Sequence, residues 1–189
     1  MTTRDRFITS VDEFDAFVLR DENIERNFEY IGGEIVQKMV SNDAAAIVAS
    51  YIQGFIFIYL RANRIGRVMG DNTGYMVGSE RYIPDVSYIS YEKHPDILRI
   101  PYRPDPPDLA IEVISSERAD EADNLAVKVQ HYLLAGTVVW IINPFKRTVT
   151  VFIAQQKPVT LHEGDVLTGG KVLPDFKLDL ETLFEELPE

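Results

Sequence analysis

The sequence predicts a single α/β domain spanning residues 1–189, and three observations lead to this prediction. Short stretches rich in β-branched residues, several with alternating polar and apolar positions, are typical of strands. Two longer stretches, over about residues 43–61 and 118–135, have apolar residues at helical spacing. The chain of 189 residues is 46% hydrophobic, which suffices for one core, and no repeat or linker divides it.

The composition narrows the classes of function. The chain has no cysteine, which excludes disulfides and thiolate metal sites and fits a reducing, cytoplasmic compartment. Residues 1–6 lack the apolar core of a signal peptide, and the apolar region 44–60 is interrupted by polar residues and too short to span a bilayer, so we expect no membrane association. The net charge of −11 argues against tight non-specific binding to nucleic acid, which would need a local basic strip or bound metal ions.

The predicted elements follow one another without a break in composition. Ser10 and Glu13 form a capping-box pattern before a short amphipathic helix, and Gly32-Gly33 indicates a tight hairpin. Asn42 or Asp43 caps the long helix, which is apolar nearly all round. Beyond it we predict strand pieces within 66–79, a strand over 81–90, a proline-rich surface loop over 94–107, a strand over 109–114, a helix over 118–135, strands over 137–143 and 148–154, and a final short helix over 180–186.

A glutamate stands in the centre of the apolar strand 109–114. Period-2 alternation places Glu112 on one face with Asp108, Ala110 and Ile114. An unpaired ionised carboxylate in a buried strand is unfavourable, so Glu112 needs a cation or must take up a proton.

Two further residues are candidates to approach Glu112. Asp85 follows Pro84 in the preceding predicted strand, and Lys128 lies at the edge of the apolar stripe of the helix 118–135, next to Tyr132. Converging carboxylates suit Mg²⁺, which activates water for phosphodiester cleavage, and a lysine adds a donor for the phosphate. The residues alone leave alternatives open: Asp85 as a turn cap, Glu112 and Lys128 as a structural ion pair without metal, or Lys128 as a solvated helix lysine.

The order of these motifs resembles the Uma-type family of restriction endonucleases, within the PD-(D/E)xK nuclease superfamily. Residues 28–34, Phe-Glu-Tyr-Ile-Gly-Gly-Glu, are similar to the family's N-terminal Tyr-Glu-Leu-Ile-Asp-Gly-Glu motif. The resemblance covers nearly the whole chain and is carried by Pro84-Asp85, Asp108-Leu-Ala-Ile-Glu112-Val-Ile-Ser115, Lys128-x-x-x-Tyr132-x-x-x-Gly136 and Trp140-x-x-x-Pro144, with Leu173-Pro-Asp-Phe176 near the end.

The resemblance implies a restriction endonuclease-like fold, with a mixed, curved central sheet flanked by helices. It implies hydrolysis of DNA phosphodiester bonds with Mg²⁺ or Mn²⁺, with DNA as the substrate. Asp85 and Glu112 would be the metal ligands, and Lys128 the catalytic lysine, which this family carries on the helix after the strand. Glu34 would be an additional catalytic acid, with Glu29 as its substitute.

The chain departs from the family pattern at two places, and the missing histidine together with the net charge of −11 favours a rival from another class. Residues 41–49 contain no histidine, and Asn124 stands where an aspartate is often found. The rival is a catalytically inactive binding or scaffold protein with the same fold. The sequence leaves open whether this protein is a homodimer. Hydrolysis of another phosphate ester is a third alternative. The histidines His94, His131 and His162 show no metal-binding spacing, and we expect them at the surface.

Overall fold

Two mixed β-sheets, a two-stranded ribbon and four helices make up residues 9–116 and 118–188, the part of the chain that the computed structural model describes. Residues 1–6, on which the expectation about a signal peptide rests, lie outside this part. The elements are α1 Val11–Val18, β1 Phe28–Ile31, β2 Glu34–Gln37, α2 Asp43–Asn63, β3 Gly66–Met69, β4 Gly74–Val77, β5 Glu80–Tyr82, β6 Val86–Ser90, β7 Tyr102–Arg103, β8 Leu109–Val113, α3 Ala119–Leu134, β9 Val138–Asn143, β10 Thr148–Phe152, β11 Val159–His162, β12 Val166–Thr168, β13 Lys177–Asp179 and α4 Leu180–Phe184.

The six-stranded central sheet has the order β11-β10-β9-β8-β6-β3, and the five-stranded second sheet has the order β2-β1-β5-β4-β7. In the central sheet β8 and β9 pair in parallel and their neighbours are antiparallel. Helices α2 and α4 cover one face of this sheet. Helix α3 and the second sheet cover the other face, and α1 packs on the outside of the second sheet. The predicted mixed sheet flanked by helices is confirmed.

Strand β8 separates the two main cores of the molecule. Leu109, Ile111 and Val113 pack with α2 on one side, and Ala110 packs with α3 on the other. This is the alternation that the sequence predicts, and it places Glu112 on the α3 side.

The strand predicted over residues 81–90 is divided into β5 and β6, which belong to different sheets. Pro84, which has no N–H to donate, lies in the connection. The Ile83 N–H donates to the Glu29 carboxylate (2.7 Å) instead of to a strand. The chain therefore changes sheets directly before Asp85.

Helix α2 is longer than the predicted apolar region. It has 21 residues, and by length and composition alone it could cross a bilayer. Its inner face is buried against the central sheet through Val48, Ile52 and Ile56. The Asn42 side chain caps it by accepting from the Ala45 N–H (2.9 Å).

The proline-rich segment differs from the predicted surface loop in two respects. Residues Tyr102–Arg103 form the short strand β7, parallel to β4. His94 is buried, with Nε2 3.2 Å from the Pro106 carbonyl, so the expectation of a surface histidine is wrong there. This contact between the His94 imidazole and the Pro106 carbonyl links the two ends of the segment.

Candidate active site

Strands β6 and β8 bring Asp85 and Glu112 together. Val86 lies opposite Ile111 in this antiparallel pair, so Asp85, one residue before β6, reaches the level of Glu112. The Asp85 Oδ2 atom accepts a hydrogen bond from the Val113 N–H (2.8 Å), which fixes the aspartate against β8. The acidic Pro84-Asp85 motif is therefore an extension of the central sheet at the Glu112 end.

The first hairpin contributes a third acidic residue and a lysine. Glu29 lies opposite Val36 in the β1–β2 pair, and the Lys38 N–H donates to the Asn27 carbonyl (2.9 Å), which extends the hairpin beyond β2. The Lys38 Nζ atom donates to the Ile83 carbonyl (2.9 Å) and lies 2.8 Å from Asp85 Oδ1. The Ile83 peptide is thus held at both ends, by Glu29 at its N–H and by Lys38 at its carbonyl.

Helix α3 supplies the lysine at the centre of the site. Lys128 Nζ lies 2.8 Å from Glu29 Oε1 and 2.6 Å from Glu112 Oε1. The contact with Glu29 is an aligned hydrogen bond, whereas Glu112 Oε1 is a close ion-pair partner without such alignment. All three residues are buried, each less than 8% exposed, and the Tyr82 ring lies 5.6 Å from the ammonium. Lys128 therefore joins the second sheet to the central sheet.

Burial and the charges of the neighbours shift the pKa values at this centre in definite directions. Burial raises the pKa of Glu112; the Lys128 ammonium opposes this shift, and the carboxylates of Asp85 and Glu29 add to it. Burial lowers the pKa of Lys128, but the charges of Glu112 and Glu29 outweigh burial, so its pKa is raised overall. Lys128 therefore keeps its charge, and Glu112 takes up a proton at a higher pH than an ordinary glutamate does.

A cavity of about 810 Å³ opens over these side chains. Asp85, Glu112, Lys128, Glu29 and Lys38 are among the residues that line it. The sequence-predicted set of Asp85, Glu112 and Lys128 therefore converges on one accessible space.

Glu34 is placed differently from the other three predicted site residues. It lies opposite Ile31 at the turn end of the hairpin, on the same face as Glu29, but it does not line the cavity. Glu29, two residue pairs further from the turn, lies at Lys128 and lines the cavity at which the sequence prediction placed Glu34. The physical reason is distance along the strand: two residues shift a side chain by about 6.6 Å.

Asp108 shares a face with Glu112 but takes no part in this site. Its Oδ2 atom accepts from the Ser90 N–H (2.7 Å), at the other end of β6 and β8. It acts as a structural acceptor that fixes the entry to β8.

Lys38 is the site residue that the sequence reasoning missed. The signal in the sequence is the period-2 alternation of β2. Val36 faces the same side as Glu29, so Lys38, two residues later, is expected to face that side as well. A lysine on the face of an acidic residue could have been recognised as an ion-pair partner for the acidic cluster.

The chemistry of the donor set fits a hard divalent cation such as Mg²⁺. Asp85 and Glu112 offer carboxylate oxygens at one cavity, and Mg²⁺ binds through one or two carboxylates together with water and phosphate oxygens. Within residues 9–116 and 118–188, no group of three or more acidic or imidazole side chains has the arrangement of a complete protein-only metal site. The donor set therefore fits an ion for which solvent or substrate supplies most of the ligands.

Comparison with known proteins shows the class to which this protein belongs. A crystal structure from Anabaena variabilis ATCC 29413, described as "a putative nuclease belonging to DUF820", superimposes with a TM-score of 0.79 over 93% of this chain and 97% of that chain, at 23% identity. The fold is therefore restriction endonuclease-like. Residues 11–181 match the model of the Uma2 family, described as "Putative restriction endonuclease". The chain belongs to this family. Comparison with curated proteins finds no match.

Proposed function

We propose that this protein is a cytoplasmic endonuclease that hydrolyses phosphodiester bonds of DNA with Mg²⁺ or Mn²⁺. The observation that carries the proposal is the convergence of Asp85, Glu112 and Lys128 on one cavity, with the lysine 2.6 Å from Glu112. Family membership and the nuclease-like fold support it. The absence of cysteine supports the compartment.

Each residue has a distinct part in the proposed reaction. Asp85 and Glu112 would hold the ion, which supplies a water of lowered pKa and neutralises charge on the phosphate. Lys128 donates from Nζ to the phosphate oxygen that gains charge in the transition state. Glu29 is a positioning residue, because its carboxylate fixes the lysine side chain from the second sheet. We assign no chemical step to Glu34.

The test is nicking of supercoiled plasmid in the presence of Mg²⁺, Mn²⁺ or EDTA. We expect nicking with either metal ion and none with EDTA. Glu112→Gln keeps the shape of the side chain and removes the charge that holds the ion, so it should abolish nicking. The matched control is Glu92→Gln, which makes the same change at an exposed turn residue outside the cavity. If Glu112→Gln and the wild type nick at the same rate, the activity does not belong to this site.

The rival function, an inactive binding or scaffold protein, is favoured by one specific observation. Lys38 and Lys128 already neutralise the acidic residues of the cavity through contacts of 2.8 Å to Asp85 and 2.6 Å to Glu112. Such pairs can serve the fold alone. Calorimetric titration with Mg²⁺ separates the two proposals, because the inactive protein would show no binding that depends on Asp85 and Glu112. A homodimer is compatible with both.

A further inference from the structure

The outer face of helix α2 is apolar and has no partner within the described residues. Its inner residues Ala45, Val48, Ile52, Ile56 and Leu60 are buried against the core. At about 100° per residue, the opposite face carries Ala46, Ile47, Ser50, Gly54, Phe57 and Ile58. Phe57 and Ile58 are 55% and 67% exposed, and a Cβ added to Gly54 would meet nothing within 4 Å. An apolar face on an otherwise acidic molecule is typical of a contact surface.

This face is bounded at its two ends by opposite charges. Asp43 lies in the first turn and Arg61 in the last turn, and both are exposed. The two residues are five turns apart, so they lie in line on the outer face, about 27 Å from each other along the axis. In the part of the chain that the structure describes, neither forms an ion pair.

The face is complementary to a second copy of itself when the two helices run antiparallel. A twofold axis at the level of residue 52, on the outer side of the helix, brings Asp43 of one copy to Arg61 of the other, at both ends. The same operation sets Ile47 against Ile58 on one flank and Ala46 against Phe57 on the other, and the small residues Ser50 and Gly54 meet at the centre. Such an isologous contact buries the same surface on both copies, and small residues at the centre let the helix backbones approach closely.

We propose that two copies of this protein form a homodimer through antiparallel packing of their α2 outer faces, with Asp43 paired to Arg61 across the interface. Ala46 and Ser50 also line a second cavity, of about 390 Å³, together with Lys38 and Asp85. The interface therefore adjoins the candidate active site. The proposal does not depend on nuclease activity, because it rests on the surface of α2 alone.

Charge reversal tests this pairing. Asp43→Arg places two arginines opposite each other at each end of the interface, and Arg61→Asp places two acidic residues there. Each variant alone should dimerise more weakly than the wild type, by on the order of a hundredfold. An equimolar mixture of the two variants should dimerise again, because in the mixed dimer one copy carries both arginines and the other both aspartates. The measurement is sedimentation velocity at a series of micromolar concentrations, with circular dichroism to verify the fold of each variant.

A second measurement uses the lack of cysteine in the chain. Ser50→Cys should give a disulfide-linked dimer on mild oxidation, because residue 50 lies close to the proposed twofold axis. Leu134→Cys is the control at another exposed helix position, 86% exposed, and should not cross-link.

Three outcomes would overturn the proposal. A wild-type chain that stays monomeric has no such interface. A dimer that survives both single reversals, or a mixture that does not recover, uses another surface. Binding of monomeric wild type to phosphatidylcholine vesicles, lost in Ile58→Asp, would assign the α2 face to lipid instead.

Discussion

The nuclease and scaffold functions differ in what they require of Lys128. It is buried between Glu29 and Glu112, with contacts of 2.8 and 2.6 Å. A structural role requires only its charge. A catalytic role requires in addition that its Nζ can donate to a phosphate in the cavity.

Replacement of this lysine by methionine separates the two roles. Lys128→Met keeps the aliphatic stem and leaves two buried carboxylates unpaired, which should cost about 3 kcal/mol of unfolding free energy. If Lys128 is catalytic, nicking should also fall by about a hundredfold or more while Mg²⁺ binding survives. Denaturant unfolding, calorimetry and the plasmid assay check these expectations, with exposed Lys157→Met as the control. Unchanged stability and unchanged cleavage would remove Lys128 from the site.

Glu112 gives the protein a stability that depends on pH. Burial raises the pKa of this carboxyl from 4.5 to about 7 in the folded chain. The folded chain thus keeps a proton that the unfolded chain releases, so the contribution is present at acid pH and is lost as the pH rises through about 7.

Glu112→Gln should remove this dependence. In EDTA, the free energy of unfolding of the variant relative to the wild type should rise between about pH 5 and about pH 8, by on the order of 2 kcal/mol. Denaturant unfolding at the two pH values measures the change, and ionisable groups that do not interact with Glu112 cancel in the difference. An equal difference at both pH values would contradict the raised pKa.

Under the proposed function, Lys38 would compete with a divalent cation for Asp85. Its Nζ lies 2.8 Å from Asp85 Oδ1, and both side chains are partly exposed, at 17% and 15%. A pair of this kind is worth about 1 kcal/mol. Lys38→Met should therefore tighten Mg²⁺ binding about fivefold, as measured by calorimetry. The same change in an Asp85→Asn background should have no such effect, and a weaker affinity in the single variant would refute the competition.

At the scale of elements, the site depends on how closely strands β3, β6 and β8 approach. Gly66 in β3 lies opposite Ser90, and a Cβ there would lie 2.2 Å from the Ile89 carbonyl oxygen and 2.5 Å from the Tyr88 ring. Because the obstacle includes backbone, side-chain adjustment cannot relieve it.

Gly66→Ala should therefore destabilise the fold by about 1–3 kcal/mol. Displacement of β6 would also move Asp85 and weaken Mg²⁺ binding. Gly164→Ala is the matched control, because a Cβ at Gly164 meets nothing within 4 Å. Thermal unfolding of both variants tests the expectation. Equal melting temperatures would show that β3 can shift without loss of stability.

At the scale of the whole molecule, net charge restricts how DNA can bind. A chain with a net charge of −11 repels the phosphate backbone except where cations compensate. Basic and acidic side chains both line the cavity. The basic ones are Lys38, Arg118, Lys128 and Lys146.

DNA binding should therefore require a divalent cation. Fluorescence anisotropy with a labelled duplex should show weak binding in EDTA and binding at least about tenfold tighter with Ca²⁺, which occupies oxygen sites. Glu112→Gln should lose this gain, whereas Glu92→Gln should keep it. Tight binding in EDTA would show that a basic surface, and not the metal site, holds the DNA.

The sequence by itself determined the order of most helices and strands and indicated three of the residues that line the cavity. The capping box at Ser10 and Glu13 is present, and the alternation in β8 assigned Glu112 to the correct face. These features depend on neighbours within a few residues, where periodicity and capping chemistry act. Glu112 could be selected because a buried carboxylate requires a cation, whatever the surrounding fold. Asp85 and Lys128 are candidates to approach it, and the family resemblance supplies their roles.

Only the tertiary structure decided which partners complete the site. The choice of Glu29 over Glu34 depends on where the hairpin meets α3, about 100 residues later in the chain. The ion pair of Lys38 depends on the change of sheets at Ile83, and the exposure of the outer face of α2 depends on which elements pack beside it. These are contacts between residues distant in the chain. Local patterns cannot specify them, because the same hairpin and helices can dock in several relative positions until the core selects one.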